Sequence, residues 1–434
     1  MTKIFSSNMI AAKEGKTEKF FAVLTYSIPL LMGVYIFFNP FPHTTAIKEF
    51  CFYISLLALI TLIIFKKTNF SLRSPLTLPF ALFFLWGIFG LFFALDLTNS
   101  FHDIRAHFLK YVLIYYLLVN YSNSPKKIEI LSWIVIASAT IFSFWSIINF
   151  YFMGGHPFSV RLGLTFLEIP TDYIGFVLIF ALTLTLNKLM HNKSILVKSI
   201  LCMSSLILCL TTLLTQSRGS LIALLIAIII LSCLNKKILI FVIITILLVI
   251  LIPGFKERIN TQEILQNERV QMNILTMEII KTYPITGLGF GMQIYGNKNL
   301  VNLKKFDEKL PKKYQGGVGG MFIGSPHNTL LDIAVRTGII GLILFISILL
   351  TALWMIWKTW RSAKSEYFTS WIVCAFAAFS SFMIAALFSD TTFGPQAIVF
   401  YTILAMITIL WNINNEQSIS GNFAAESEKH PSMG

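Results

Sequence analysis

The chain is poor in charge. Of its 434 residues only 12% are Asp, Glu, Lys or Arg, about half the roughly 25% of a soluble globular domain. That excludes an ordinary soluble enzyme, and the 56% of hydrophobic residues excludes a disordered chain. Cysteine is also scarce. Cys51, Cys202, Cys209, Cys233 and Cys374 all lie in apolar runs with no CxxC pair, so they read as small buried hydrophobes and not as a disulfide framework or a zinc site. There is no DxD, HExxH, GxSxG or Walker sequence, and the seven His show no metal-ligand spacing. A metal-dependent sugar-nucleotide transferase and an ATP-driven pump are thereby disfavoured.

Long apolar runs are what the chain has instead. A spanning helix needs about 20 mostly apolar residues, and twelve segments qualify: 20–38, 48–65, 75–95, 104–121, 128–152, 171–187, 195–215, 218–235, 237–253, 328–357, 366–389 and 395–412. The fourth is the weakest, because Lys110 and several Tyr interrupt it. The expected fold is all-α, a polytopic membrane helix bundle of about 12 spans. It divides into a cytoplasmic N-terminal tail (1–19), spans one to nine (20–253), a large outer loop (254–326), spans ten to twelve (327–412) and a cytoplasmic tail (413–434). The polar first nineteen residues lack a cleavage site, so the first span reads as a retained anchor.

Orientation follows from the basic residues. With the N-terminus inside, eighteen of the 34 Lys and Arg fall in cytoplasmic segments, while the short outer loops hold only Lys48, Arg105, Lys110, Arg161 and Arg218. The net charge of +14 is therefore a topological signal and not a nucleic-acid-binding one.

The outer loop contains the first chemistry. Residues 261–281 read as a helix with Thr261 as N-cap and Pro284 beyond its end. A polar stripe, Gln262–Gln266–Arg269–Asn273–Thr276, runs beside Leu265, Met272, Leu275 and Ile279. It points Arg269 either into a polar cavity or to solvent. PITGLGFG (284–291) is either a tight turn or a stretch of backbone N–H groups open to phosphate. Residues 296–325 carry six Lys and many Gly, the composition of a mobile flap near anionic head groups.

After the loop, Ser325 and Pro326 suit an N-cap and first helical position, which puts His327 in the first turn. A neutral imidazole there can act as a general base; the competing reading is a hydrogen-bonded interfacial His. Asp332 and Arg336, four apart, are expected to pair, and Gly338 and Gly341 to bend the helix. Arg218, behind Ser217, opens the eighth span against the helix dipole, a conflict that a bound anion would resolve. Snorkelling is the alternative. Arg161 is a further cation in an outer loop, and Asp390 is an isolated carboxylate at the outer end of the eleventh span.

Taken in order, LTQSRGSLIALL (214–225), NERVQMNILTMEIIKTYPITGLGFG (267–291) and SPHNTLLDIAVRTGIIGL (325–342), with VRLGLTF (160–166) and FSDTTFGPQ (388–396) as weaker pieces, resemble the bacterial O-antigen ligase and O-antigen polymerase superfamily. The resemblance runs over roughly the whole chain. It implies a GT-C-like glycosyltransferase of the bacterial inner membrane, its active site facing the periplasm and its large helical periplasmic loop between spans nine and ten. The implied donor is a glycan on undecaprenyl diphosphate and the implied acceptor lipid A–core, among membrane lipids and without nucleic acid, metal or other cofactor. It carries a general-base role to His327, diphosphate binding to Arg218, Arg269 and Arg161, and a supporting role to Asp390. The chemistry is coherent, because arginines can stabilise a diphosphate leaving group without a metal. An apolar groove would take the polyprenyl tail. A polymerase extending the lipid-linked glycan and a protein O-oligosaccharyltransferase are alternatives of the same class. A transporter or flippase is the alternative of another class, disfavoured because the charges gather at one surface and not at the midplane.

Overall fold

The computed structural model describes the backbone of residues 2–162, 171–240, 268–315 and 324–429, with isolated positions at 243, 245 and 247. Side chains are described for 17–162, 174–240, 270–315 and 324–416, and at those three positions. No strand occurs among the described residues. In chain order the α-helices are α1 (Thr2–Phe37), α2 (Thr45–Ile64), α3 (Thr77–Gly90), α4 (Leu97–Asp103), α5 (Lys110–Tyr121), α6 (Pro125–Ile147), α7 (Thr171–His191), α8 (Ile195–Leu214), α9 (Arg218–Ser232), α10 (Glu268–Thr282), α11 (Leu303–Asp307), α12 (Thr329–Ser362), α13 (Glu366–Ala386) and α14 (Gly394–Lys429).

Eight described helices are long and apolar enough to cross a membrane: Thr17–Phe37, Thr45–Ile64, Pro125–Met153, Ile174–His191, Ile195–Leu214, Thr329–Ser362, Glu366–Ala386 and Gly394–Glu416. This makes the chain a multi-pass membrane protein. The third and eighth expected spans appear as shorter apolar helices, Thr77–Phe93 and Arg218–Ser232. The fourth is a six-residue π-turn, Ile104–Leu109, leading into the twelve residues of α5. Most of the ninth, 237–253, lies outside the described residues.

Local sequence explains where the helices begin. Pro125 opens α6, where its missing N–H costs nothing. Ser365 caps α13 by accepting from Phe368 N at 3.1 Å. Within the bundle hydroxyls satisfy themselves on their own helix, as Ser55 on Cys51 O (2.8 Å), Ser205 on Leu201 O (2.7 Å) and Ser381 on Ala377 O (2.6 Å) do. Small residues set the close approaches. A Cβ on Gly175 of α7 would overlap Ser220 Oγ of α9. Helix α13, which packs on α9, carries buried Ala375, Ala378 and Ala385. The stretches Ile174–His191 of α7 and Gly394–Glu416 of α14 are the most buried of the spanning helices, so they form the centre.

Basic side chains stack on Trp at one set of helix ends. Lys188 lies 5.0 Å from the Trp133 ring and 5.5 Å from Trp371, Lys358 lies 5.1 Å from Trp354, and Arg361 lies 4.6 Å from Trp357. Such Lys/Arg–Trp groups suit a membrane–water interface, and they fall where the charge pattern puts the cytoplasm.

The segment 268–315 has a small core of its own. Met272, Leu275 and Ile279 of α10 pack with Leu288, Tyr295, Val301, Leu303, Phe306 and Leu310. The apolar flank expected of this helix is therefore buried, but the polar stripe is not uniformly polar-facing. Thr276 is fully buried and shares a 2.8 Å hydrogen bond with Tyr295 Oη, and burial pushes that phenol up to about 12. Thr261 and the other residues before 268 lie outside the described residues. The first part of the expected flap is a packed structure. Leu303, Phe306 and Leu310 enter the core, and Gln315 Nε2 ties back to Leu310 O at 2.7 Å. GGVGG (316–320) lies outside the described residues.

Candidate functional site

Two helix starts and one turn gather most of the expected site residues. At the first start, Gln216 has φ +47°, Ser217 caps α9 by accepting from Ser220 N at 3.3 Å, and Arg218 is the first helical residue. The loop carrying Arg161 is tied to it by three hydrogen bonds: Arg161 Nε to Thr215 O (2.7 Å), Gln216 Nε2 to Ser159 O (3.0 Å) and Leu162 N to Leu214 O (3.0 Å). Arg161 and Arg218 are thus held on one small surface. Among the described residues the Arg218 guanidinium, which is partly exposed, has no ion-pair or hydrogen-bond partner.

The second start differs from expectation. The cap of α12 is Asn328, whose side chain accepts from Leu330 N (3.0 Å) and Leu331 N (3.2 Å), and the helix begins at Thr329. Ser325 is not the cap. Its hydroxyl donates to Asp390 Oδ2 in a short contact, and that competing partner moves the helix start three residues on. His327 therefore precedes the cap and is outside the first turn. Its φ is +52°, a left-handed conformation uncommon for a side-chain-bearing residue. Nδ1 of the ring stands 3.6 Å from Oδ2 of fully buried Asp390, while the ring itself is 37% exposed.

The turn 387–391 joins the two starts. Asn328 Nδ2 donates to Leu387 O (3.2 Å) and Thr329 Oγ1 to Ser389 O (2.7 Å), while Thr391 N donates to Thr329 Oγ1 (2.9 Å). On the other side Phe388 packs onto Gly219, where an added Cβ would come 2.7 Å from Phe388 Cβ. Arg161, Arg218, His327 and Asp390 are therefore brought to one end of the bundle. Arg269 lies in the first turn of α10, which packs on α12; its side chain lies outside the described residues.

The glycine turn has a structural task. Helix α12 breaks at Gly338 (φ +71°, ψ −178°), the bend expected there. Segment 284–291 fills the break. Leu288 N donates to Val335 O (2.8 Å), Gly289 N to Arg336 O (3.1 Å), and Ile339 N to Pro284 O (2.8 Å). Gly287 and Gly338 permit this approach. A Cβ on Gly287 would lie 2.6 Å from Arg336 O, and one on Gly338 would overlap Ile285 O. Gly291 N and Met292 N are also taken, by Ser100 Oγ (3.1 Å) and Asp103 Oδ2 (2.7 Å). With these N–H groups spent on protein acceptors, the turn reading of PITGLGFG prevails over the phosphate one.

Arg336 and Asp332 pair as their spacing suggests, Nε to Oδ2 at 3.1 Å, both buried. The guanidinium also donates to Phe290 O (3.1 Å) and Thr392 Oγ1 (3.2 Å). These contacts lock the kink to the glycine turn and to the chain just after Asp390. An apolar groove does exist, lined by Leu30, Val34, Phe37, Leu118, Ile130 and Ile134, with a cavity volume of about 430 Å³. It shares no lining residue with the His327 cluster. Sequence reasoning passed over one group altogether, His102, Asp103 and His107, which the π-turn brings together.

No curated protein matches the chain. Residues 203–346 match the family model described as O-antigen ligase. That stretch holds Arg218, Arg269, the glycine turn, His327 and the kink, and leaves Arg161 and Asp390 outside. Over this segment, about a third of its length, the chain is similar to the O-antigen ligase family.

Proposed function

We propose that the protein is an O-antigen ligase: it moves a glycan from undecaprenyl diphosphate to a hydroxyl of lipid A–core at the periplasmic face of the inner membrane. The family is one of membrane glycosyltransferases of the ligase and polymerase type, and the multi-pass bundle suits lipid-linked substrates. The observation that carries the site reading is the pairing of a half-exposed imidazole, His327, with a fully buried carboxylate, Asp390. Asp390 orients the ring and stabilises its protonated form. The ring then takes the proton of the acceptor hydroxyl as that oxygen attacks the anomeric carbon. The bond from the anomeric carbon to the diphosphate oxygen breaks, and inversion follows from direct displacement. Arg218, Arg161 and Arg269 receive the departing diphosphate, each able to give two parallel N–H bonds. In this reading Arg218 has no partner among the described residues because its partner is the substrate.

A deletion strain tests the acceptor. Loss of a ligase leaves lipopolysaccharide bearing no glycan chain, and complementation restores the ladder. Single capped repeats on the core in that strain would identify a polymerase instead. Transport of the lipid-linked glycan by the purified protein in liposomes, without glycosyl transfer, would overturn both.

A further inference from the structure

The turn between α4 and α5 is wound as a π-helix, Ile104–Leu109. Residues five apart lie about 140° from each other on an α-helix of 3.6 residues per turn. The wider π-turn brings them to one face. It thereby sets the imidazoles of His102 and His107 on either side of the Asp103 carboxylate. Nδ1 of His102 lies 2.8 Å and Nε2 of His107 lies 3.6 Å from the same oxygen, Oδ1. All three ligand atoms fall within 4.8 Å of one another.

Metal bonds of about 2.1 Å place neighbouring ligand atoms roughly 3–3.5 Å apart, so the 2.8 and 3.6 Å spacings about Oδ1 are already near those of a site, and the two imidazoles start no more than 4.8 Å apart. The outer contacts are those of an oriented ligand set. Asp103 is buried, and its second oxygen, Oδ2, is held by Met292 N at 2.7 Å, which aims Oδ1 at the rings. The second nitrogen of His107, Nδ1, meets Tyr111 Oη at 3.3 Å, so Nε2 can turn its lone pair to the same point. His102 is 56% exposed, which opens the group to ions from solution. The nearby guanidinium of Arg336 is neutralised by Asp332.

We propose that His102, Asp103 and His107 bind one divalent transition-metal ion of the zinc class, with its remaining positions open to water. Two imidazoles and one carboxylate oxygen are a ligand set suited to such ions and not to calcium or magnesium. The ion ties the π-turn to the 291–293 backbone. It is separate from the transfer chemistry and does not depend on it.

The test uses the full chain, carrying a tag without histidine, in detergent and stripped with chelator. Titration with zinc and elemental analysis should find about one ion per chain. Cobalt in its place should give the visible absorption of a low-coordinate imidazole site. His102→Ala and His107→Ala should each weaken binding at least about tenfold, and Tyr111→Phe about tenfold, the usual lower effect of an outer-shell change. His327→Ala should bind zinc normally, which separates this site from the proposed base. Failure of the stripped protein to take up zinc would overturn the proposal. So would uptake that is unchanged in both His102→Ala and His107→Ala. Because His102 is an exposed ring, its loss leaves the fold intact, and a single symmetrical peak on size exclusion checks this.

Discussion

The starts of α9 and α12 are built alike and finished differently. Each has a left-handed residue (Gln216, φ +47°; His327, φ +52°) followed by a side-chain cap (Ser217; Asn328). At α12 the left-handed residue is the imidazole, and its carboxylate partner is already in place. At α9 the functional group comes after the cap and is a cation set against the positive end of the helix dipole, without a partner among the described residues. One start is complete in the protein alone; on the proposed function, the other is completed by an anion. On that proposal, the base is aimed before the acceptor arrives, whereas the diphosphate clamp is satisfied only by its substrate.

The sharpest way to break this comparison is to remove each group in turn. His327→Ala should lower transfer in a reconstituted assay by about 10²–10⁴-fold, the usual contribution of a general base. Unchanged transfer at equal protein level would end its assignment. Arg218→Ala should cost about 10²–10³-fold, as loss of one preorganised donor to developing charge does, and Arg218→Lys should recover little of it. Asp390→Asn should cost about ten- to a hundredfold, equivalent to the roughly 1.5–3 kcal/mol of a hydrogen bond to a charged group. If Asp390→Asn instead left the rate alone, the second start would be no more complete than the first. The caps make the smallest difference: Ser217→Ala and Asn328→Ala should each lose about 1 kcal/mol of stability, read as similar small shifts in thermal unfolding. A drop in transfer with Asn328→Ala beyond that of Ser217→Ala would show that the α12 cap also positions His327.

Much of the bundle was legible because apolar runs of membrane length have few alternatives. Helices α1, α2, α6, α7, α8, α12, α13 and α14 fall on eight of the twelve expected spans. The pairing of Asp332 with Arg336 and the bend at Gly338 were legible too, since both rest on local geometry. What was hidden depended on distant partners. Ser325 and Pro326 spell a good helix start, but Asp390, 65 residues on, takes the Ser325 hydroxyl and Asn328 becomes the cap. Thr276 sits in a polar stripe, yet Tyr295 gives it a buried partner. His102 and His107 looked scattered because α-helical spacing separates them, and nothing in HDIRAH announces a π-turn.

The break at Gly338 also bears on how the protein is assembled. Beyond Gly338, α12 is a continuous apolar helix that satisfies its own backbone and can enter the bilayer unaided. The turn before the break cannot, because the carbonyls of Val335 and Arg336 are answered by Leu288 and Gly289, and Ile339 N by Pro284. Until residues 284–289 dock there, those groups lack these partners, at a cost of several kcal/mol for each one that lies in hydrocarbon. Biogenesis of this helix therefore has two stages: partitioning of its long part into lipid, then docking of its first nine residues onto a segment made earlier in the chain.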